Sequence, residues 1–268
     1  MSSPLLAITR SELKRRKFYL LWWAIGLIVL IAFIVLAYAA VKGQADQLNK
    51  AFSGLSSTAG SFFGASDMFT PVGYMNSQLF YITLPILFII LSVTLAGSLT
   101  SKDERHHTLE LLLARPISRT RLLLAKMLAA IIIVATLGVI TAGFTILCSL
   151  LAGLHISANH LTLTTLWTVL FSGAFGAIAF MLHAAAQRTR KAAAVAAILL
   201  SLGGYILASI GSMVHGIAWF AELLPYHYFD SSAMLRGHVP TGLIVYVAAM
   251  YAVALLVSIA GFRRRDIN

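Results

Sequence analysis

The chain has 268 residues, of which 59% are hydrophobic and only 11% are charged, and its mean hydropathy is +0.88. A soluble domain carries roughly 25% charged residues, so this composition excludes one and predicts an integral membrane protein. The formal net charge of +11 suggests nucleic acid as one possible partner, whereas the single cysteine, Cys148, excludes an intramolecular disulfide and a cysteine-based metal cluster.

The N-terminal segment, residues 4–17, mixes apolar residues with a basic cluster. Its apolar members are Leu5, Leu6, Ile8 and Leu13, and the basic cluster that closes it is Lys14, Arg15, Arg16 and Lys17. This pattern predicts a short amphipathic elbow helix at the membrane surface, with its basic side toward anionic lipid. A basic cluster that sets topology without forming a helix explains the same residues equally well.

Six apolar runs follow, and each is long enough to cross a hydrocarbon core about 30 Å thick as a helix. Between the first two runs, residues 42–77 are polar and rich in Gly and Ser, which predicts an outer loop. Pro85 predicts a kink in the second run, because proline lacks an amide proton and crowds the preceding turn. We therefore predict one all-α transmembrane domain over residues 1–268. Its six spans are about 18–41, 79–99, 127–151, 165–186, 193–217 and 243–262.

The basic residues are distributed unevenly between the two sides of this arrangement. Of the 20 Lys and Arg residues, 17 lie in the N-terminal segment, the second-to-third and fourth-to-fifth connections, and the C-terminal tail. The opposite side holds only Lys42, Lys50 and Arg236. By the positive-inside rule, both termini and the connection over residues 101–126 are cytoplasmic. The basic charge therefore follows topology, and no nucleic-acid partner is expected.

The connection over residues 101–126 holds more charge than any other window of its length. Ser101 followed by Glu104 forms a capping box, which predicts that a new helix starts there. Pro116 ends that helix, because the residue before a proline is disfavoured in helical geometry, and Ser118 caps a restart into the third span. One side of the short helix would be formed by Thr108, Leu109, Leu112 and Leu113. From the residues alone, a simple interfacial hairpin fits as well.

Residues 104–119 read ERHHTLELLLARPISR and are followed by Lys126. This stretch resembles the first cytoplasmic loop of ABC-transporter permeases of the type-2 exporter class, whose usual pattern is roughly E-x-x-G-T-L-E-x-L-L-x-x-P-I/V-S/T-R. His107 departs from that pattern, since the family generally has Gly there. Residues 224–230, LPYHYFD, are similar to a segment between the fifth and sixth spans of the family. With the six-span layout, the resemblance covers nearly the whole chain.

The resemblance implies a half-channel that pairs with a second permease copy, expected to form a homodimer, and that binds two ATPase subunits from the cytoplasm. It also implies that the helix between spans two and three is a coupling helix seated in a groove of the ATPase. The coupling residues carried over by position are Glu104, Thr108, Leu109, Glu110, Leu112, Leu113, Arg115, Pro116 and Arg119. The segment from Trp219 to Gly242 would be an outer re-entrant gate, with Glu222, Pro225, Tyr226, His227, Tyr228, Phe229 and Asp230 as its residues.

No G-x-x-x-x-G-K-S/T phosphate loop occurs in the chain, so the protein is not expected to bind ATP itself or to be an enzyme. ATP and Mg²⁺ are expected on the partner ATPase, and no catalytic or metal site is predicted in this chain. The function implied is the transmembrane subunit of an ATP-driven exporter in a bacterial or archaeal plasma membrane. The uniformly apolar spans suit an amphipathic, lipid-like, peptide or drug-like cargo better than a free ion.

Three other functions compete with this interpretation. An ion-coupled secondary transporter should have an ionisable or unwound site near the midplane, but no predicted span contains Asp, Glu, Lys or Arg. An intramembrane enzyme would need a nucleophile with an aligned base, paired acids or metal ligands at depth, and His183 has no obvious partner. A membrane anchor or assembly factor with no transport role stays open, because a sequence does not display a pathway.

Overall fold

The computed structural model describes residues 4–45, 47, 50, 69–105, 119–185, 199, 203–207 and 222–263, and their regular structure is helical throughout. The α-helices are α1 (Pro4–Arg15), α2 (Lys17–Val41), α3 (Pro71–Met75), α4 (Thr83–Arg105), α5 (Arg119–Ala152), α6 (Ala158–Ala185), α7 (Ser231–Leu235) and α8 (Thr241–Arg263). Two 3₁₀ turns, Lys42–Gln44 and Pro225–Tyr228, and one π-helical turn, Asn76–Phe80, complete the described elements.

Five helical stretches are long and apolar enough to span a membrane. They are Lys17–Gln44, Pro71–Leu99, Arg121–Ala152, Ala158–Leu182 and Thr241–Ser258, and they overlap five of the six predicted runs. The remaining run, 193–217, lies mostly outside the described residues, although residue 199 and residues 203–207 are helical. The chain is thus an all-α integral membrane protein, as predicted.

Contacts at the helix ends show how the long helices are directed. Lys42, just after α2, donates to the Ala152 carbonyl at the end of α5, so the two helices finish at the same end of the bundle. We call this the distal end and the other the N-terminal end. Gly237, just before α8, lies against His160 at the start of α6. Because α8 and α6 both start at the distal end, they run in the same direction.

The helical structure of the second span begins at Pro71, inside the region predicted to be an outer loop. Thr70 caps α3, since its hydroxyl accepts the amide proton of Gly73 at 3.1 Å. Pro71 takes the first helical position, where a missing amide proton is harmless. After the π-helical turn, regular helix resumes at Thr83. Pro85 therefore lies in the first turn of α4, and the irregular stretch is the one that directly precedes it.

The helix α4 runs without a break from Thr83 to Arg105, so the prediction that a new helix starts at Ser101 is wrong. Extending an existing helix by one residue is far easier than nucleating a new one, so the span continues through a sequence that could have served as a cap. The described part of helix α5 starts at Arg119, and the restart predicted at Ser118 stays a prediction. Residues 106–118 lie outside the described residues.

The core is centred on α4 and α6. Within the most apolar 18 residues of each spanning stretch, 61% are buried in Pro71–Leu99 and 56% in Ala158–Leu182. The corresponding share is 33% for the stretches that contain α2 and α5 and 22% for α8. The hydroxyl of Ser172 on α6 donates to the carbonyl of Pro85 on α4 at 3.1 Å. Gly176 lets Ser92 of α4 approach so closely that an added Cβ would collide with it. These small residues pack within the chain.

Candidate functional site

The two helices that flank the predicted coupling segment are tied together by a buried lysine. Lys126 is only 5% exposed, and its Nζ donates to the carbonyl of Leu99 on α4 at 2.8 Å. A buried ammonium group is costly unless it is hydrogen-bonded, so this contact fixes the start of α5 against the end of α4. Lys126 belongs to the motif in the sequence, but its contact with Leu99 follows only from the fold.

Helix α1 joins the same junction. The Thr9 hydroxyl lies 3.0 Å from the Leu5 carbonyl of its own helix and 3.2 Å from the Ala125 carbonyl of α5. At the other end of α1, Arg16 donates from Nη1 to the Ser98 hydroxyl at 2.7 Å. Its Nε lies 3.5 Å from the carboxylate of the buried Glu12. Helix α1 therefore packs on the ends of α4 and α5.

The predicted elbow residues divide into two groups. Lys14, Arg15 and Lys17 are exposed, and the Lys17 ammonium lies 5.0 Å from the centre of the Phe18 ring. Arg16 turns inward and takes part in the junction with Ser98. The basic cluster thus supplies surface charge and, through Arg16, one hydrogen bond inside the protein.

The predicted coupling residues lie almost entirely beyond the described part of the chain. Glu104 is in the last turn of α4, and Arg119 is the first residue of α5. The other seven, Thr108, Leu109, Glu110, Leu112, Leu113, Arg115 and Pro116, lie outside the described residues. Their contact with an ATPase stays a prediction. The junction around Lys126 joins the two helices between which their segment lies.

The predicted gate segment is described from Glu222 onward and folds at the distal end, whereas residues 219–221 lie outside the described residues. Pro225–Tyr228 form the 3₁₀ turn, and Asp230 caps α7 by accepting the amide proton of Ala233 at 2.9 Å. Tyr226 and Phe229 are buried, whereas Glu222, His227 and Asp230 are exposed. The segment therefore presents an aromatic side to the protein and a polar side outward.

The aromatic side packs on Phe171 of α6. Phe229 stacks on Phe171 with ring centres 4.5 Å apart, and Tyr226 meets it edge-on at 5.0 Å. Phe171 lies thirteen residues into α6, or about 20 Å along it, so the segment descends deep between the helices before Gly237 returns to His160. Irregular backbone at such depth is tolerated in membrane proteins where it is buried in protein.

Two polar contacts hold the gate segment to its neighbours. The Ser231 hydroxyl donates to the side-chain oxygen of Asn76 in the π-helical turn at 2.5 Å, and both residues are fully buried. The Tyr246 hydroxyl of α8 donates to the Leu223 carbonyl at 2.7 Å. Sequence analysis missed Phe171, Asn76 and Tyr246. Asn76 offered one weak signal, as an amide beside an apolar run, and the other two look like any aromatic residue in a span.

Among the residues that the structure describes, no group of three or more His, Cys, Asp or Glu side chains could hold a metal ion. The described contacts form two groups: a polar junction of Lys126, Arg16 and Thr9 at the N-terminal end, and an aromatic cluster at the distal end, called the aromatic plug, of Phe171, Tyr226 and Phe229.

The sequence model of a family described as ABC-2 family transporter protein matches residues 6–267, nearly the whole chain. The chain belongs to this family. The resemblance seen in the sequence is thereby confirmed: the protein is a multi-pass permease component of an ABC transporter. Such a component is not itself catalytic, and membership implies association with ABC ATPases. No curated protein matches the chain at a significant level.

Proposed function

We propose that the protein is the transmembrane subunit of an ATP-driven exporter that works as a homodimer with two ATPase subunits. The observation that carries the proposal is the family match over residues 6–267. The junction at the N-terminal end supports it, because Lys126 joins the two helices on either side of the predicted coupling segment and Arg16 joins the N-terminal segment to one of them. A push on that segment would reach α1, α4 and α5 together.

The N-terminal end faces the cytoplasm in this proposal. That end carries the basic cluster, and the exposed Lys14, Arg15 and Lys17 would meet anionic headgroups of a bacterial or archaeal plasma membrane. The distal end then faces outward, and the gate segment packed on Phe171 closes the pathway there. ATP and Mg²⁺ would be held by the partner ATPases.

The directions of α6 and α8 support a sixth span. Both helices start at the distal end, and a chain that returns across the bundle between them would account for this. Tyr205, in the helical residues 203–207, lies 5.6 Å from the ring of Tyr81 and 5.8 Å from that of Tyr226. These contacts at the level of the gate segment support the predicted span over residues 193–217 as the return path.

The outer face of α2 suits a second copy of the chain. Large exposed side chains recur along it at helical spacing, which makes a convex apolar ridge. The ridge is formed by Phe18, Trp22, Ile25, Val29, Phe33 and Leu36. A ridge of this kind packs against the grooves of another helix, which supports a dimer in which the two α2 helices meet.

The cargo that we propose is amphipathic: a lipid-like, peptide or drug-like molecule. The six predicted spans contain no Asp, Glu, Lys or Arg. A free ion crossing the membrane would need ionisable or polar groups at depth.

The decisive experiment is purification from the native host, which should bring down an ABC ATPase. Glu110→Arg should weaken that association and the cargo-stimulated ATP hydrolysis. The matched control is Lys50→Glu, a charge reversal at an exposed position outside the coupling and gate segments, which should leave both unchanged. If Glu110→Arg binds the ATPase and hydrolyses ATP like the wild type, the coupling assignment fails.

The same preparation separates the competing functions. Transport in reconstituted vesicles that persists without the ATPase and follows an ion gradient would replace the proposal with an ion-coupled transporter. Stable assembly with partners but no transport of any amphipathic probe would indicate a membrane anchor or assembly factor.

A further inference from the structure

The second span is interrupted between its π-helical turn and α4. The Tyr81 amide closes the π-helical turn by donating to a carbonyl five residues earlier at 2.8 Å, and regular helix resumes at Thr83. The Thr83 hydroxyl donates to the Gln78 carbonyl at 2.7 Å, so a side chain bridges the interruption. Pro85 has no amide proton, so the helical hydrogen bond from residue 85 to residue 81 cannot form. Residues 81–85 are therefore a point at which this span can bend.

This bend lies at the level of the aromatic plug. The Ser172 hydroxyl donates to the Pro85 carbonyl at 3.1 Å, and Ser172 directly follows the plug residue Phe171 on α6. The ring of Tyr205 lies 5.6 Å from that of Tyr81 and 5.8 Å from the tyrosine of the plug. Residues 81–85 are thus beside the plug, inside the membrane-spanning part of the chain.

Between the bend and the N-terminal end, α4 is fixed to its neighbours. Ser92 packs so closely on Gly176 of α6 that an added Cβ would collide with it. The Leu99 carbonyl accepts from Lys126 of α5 at 2.8 Å. This part of the span therefore cannot move without disturbing α5 and α6.

Residues 71–80, which we call the distal segment, are bound to the gate segment instead. Helix α7 of the gate segment contacts both α3 and the π-helical turn. The Ser231 hydroxyl of α7 donates to the side chain of Asn76 at 2.5 Å, and both residues are buried. The distal segment also meets α2, where the rings of Tyr74 and Tyr38 lie 4.8 Å apart. That contact would change if the distal segment moved.

We propose that residues 81–85 are a hinge, on which the distal segment and the gate segment swing together as one body. The swing takes the rings of Tyr226 and Phe229 off Phe171, while the hydrogen bond between the two moving parts stays intact. Helix α4, fixed on α5 and α6, stays in place. Hinges of this kind are a few residues at element ends that absorb the change in backbone angles. The inference rests on the proposed function, in which the gate segment opens, and adds which parts move and where they pivot.

A buried threonine can report this movement. The gate segment lies along α6 between Phe171, which packs on Phe229, and His160, which meets Gly237. Thr168 falls between these two contacts, at helical spacing on the same face of α6, and is fully buried. We therefore expect the gate segment to cover it, so that a cysteine placed there reacts with a water-soluble maleimide when the gate segment swings away.

The first test uses the permease alone in lipid nanodiscs, with Thr168→Cys in a Cys148→Ala background. Pro85→Ala restores the missing amide proton and keeps the carbonyl that accepts from Ser172, so it should stiffen the hinge. Labelling should slow about 5-fold, the equivalent of one net hydrogen bond. Pro85→Gly restores the same proton without the stiffness and should label nearly as fast as the parent, because glycine weakens a helix by a similar amount.

Two controls separate a stiffer hinge from a change in folding. Ala129→Cys, at a buried position near the N-terminal end of α5, should react slowly in every background, and thermal unfolding checks each variant. Equal labelling of the parent and Pro85→Ala would overturn the proposal. Equally slow labelling of Pro85→Ala and Pro85→Gly would also overturn it, because backbone stiffness would then not control the opening.

The second test uses the complex with its ATPase and follows three distances between spin labels by electron paramagnetic resonance. The labels replace exposed side chains: Gln78 on the distal segment, His238 after α7, and Leu166 on α6. When ATP binds, the distance between Gln78 and His238 should stay constant, whereas the distances from both to Leu166 should change together.

The outcomes of the second test separate the hinge from the proposed function. If His238 moves relative to Leu166 without Gln78, or if all three distances stay constant in a complex that hydrolyses ATP, the hinge is refuted and the association with the ATPase stands. A preparation in which no ATPase associates counts against the proposed function. The labelling of the permease alone then still decides the hinge.

Discussion

The two ends of the bundle are held together by different kinds of contact. At the N-terminal end, Lys126, Arg16 and Thr9 reach across to the carbonyl or hydroxyl groups of neighbouring helices. At the distal end, the gate segment is held mainly by the rings of Tyr226 and Phe229 against Phe171. Long polar side chains can exchange one acceptor for another, whereas a packed ring either fits its cavity or does not.

This difference matches what the proposed transport cycle demands of each end. The N-terminal end would have to follow the movement of a partner ATPase while staying connected. The distal end would have to change between a closed and an open arrangement, and interfaces packed in this way tend to have discrete states. Substitutions at both ends should reveal this difference, and the largest loss of stability is expected at the distal end.

The largest effect is expected from Phe171→Ala. Removing this fully buried ring leaves Tyr226 and Phe229 without their packing partner and should cost about 3 kcal/mol of stability. We expect the lower end of the usual range, because membrane surroundings remove part of the hydrophobic driving force. Equilibrium unfolding measures the change, and Leu256→Ala, at an exposed position of α8 outside the α2 ridge, is the control and should be near neutral. Similar costs for the two variants would refute the idea of an aromatic plug.

Lys126→Met should reduce stability less than Phe171→Ala does. Its main effect should be on the stimulation of ATP hydrolysis by cargo. Methionine fills the same space and removes the donor to the Leu99 carbonyl, which should cost about 2 kcal/mol. In the complex with its ATPase, cargo-stimulated hydrolysis should fall several-fold while basal hydrolysis persists. Lys126→Arg keeps a donor and should restore most of the stimulation. Full stimulation in the methionine variant would show that the junction only supports the fold.

The smallest effect is expected at the buried hydrogen bond between Ser231 and Asn76 at the distal end. A double-mutant cycle with Asn76→Ala and Ser231→Ala should give a coupling energy of about 0.6 kcal/mol, typical of hydrogen bonds between membrane helices. A parallel cycle with Ser232→Ala, the half-buried neighbour, should give none. A coupling energy well above that of a single hydrogen bond would mean that polar contacts dominate this end as well, and the contrast between the two ends would fail.

Hydropathy alone located the spans. The described helices overlap five of the predicted runs, because helices that cross a hydrocarbon core must be apolar along their length. Their ends were harder to place. Helix α6 begins at Ala158, before the predicted start of its span. In α6 the hydroxyls of Thr162 and Thr164 are satisfied by carbonyls of their own helix, so polar residues extend it.

The family, the coupling segment and the gate segment were also visible in the sequence, because each is recognised from a short run of consecutive residues. The helix start predicted at Ser101 failed because a capping box is a local signal and the passing span overrides it. The sequence could not pair Lys126 with Leu99, Ser231 with Asn76, or Phe229 with Phe171. Each pair joins residues far apart in the chain, and only the packing of one helix against another brings them into contact.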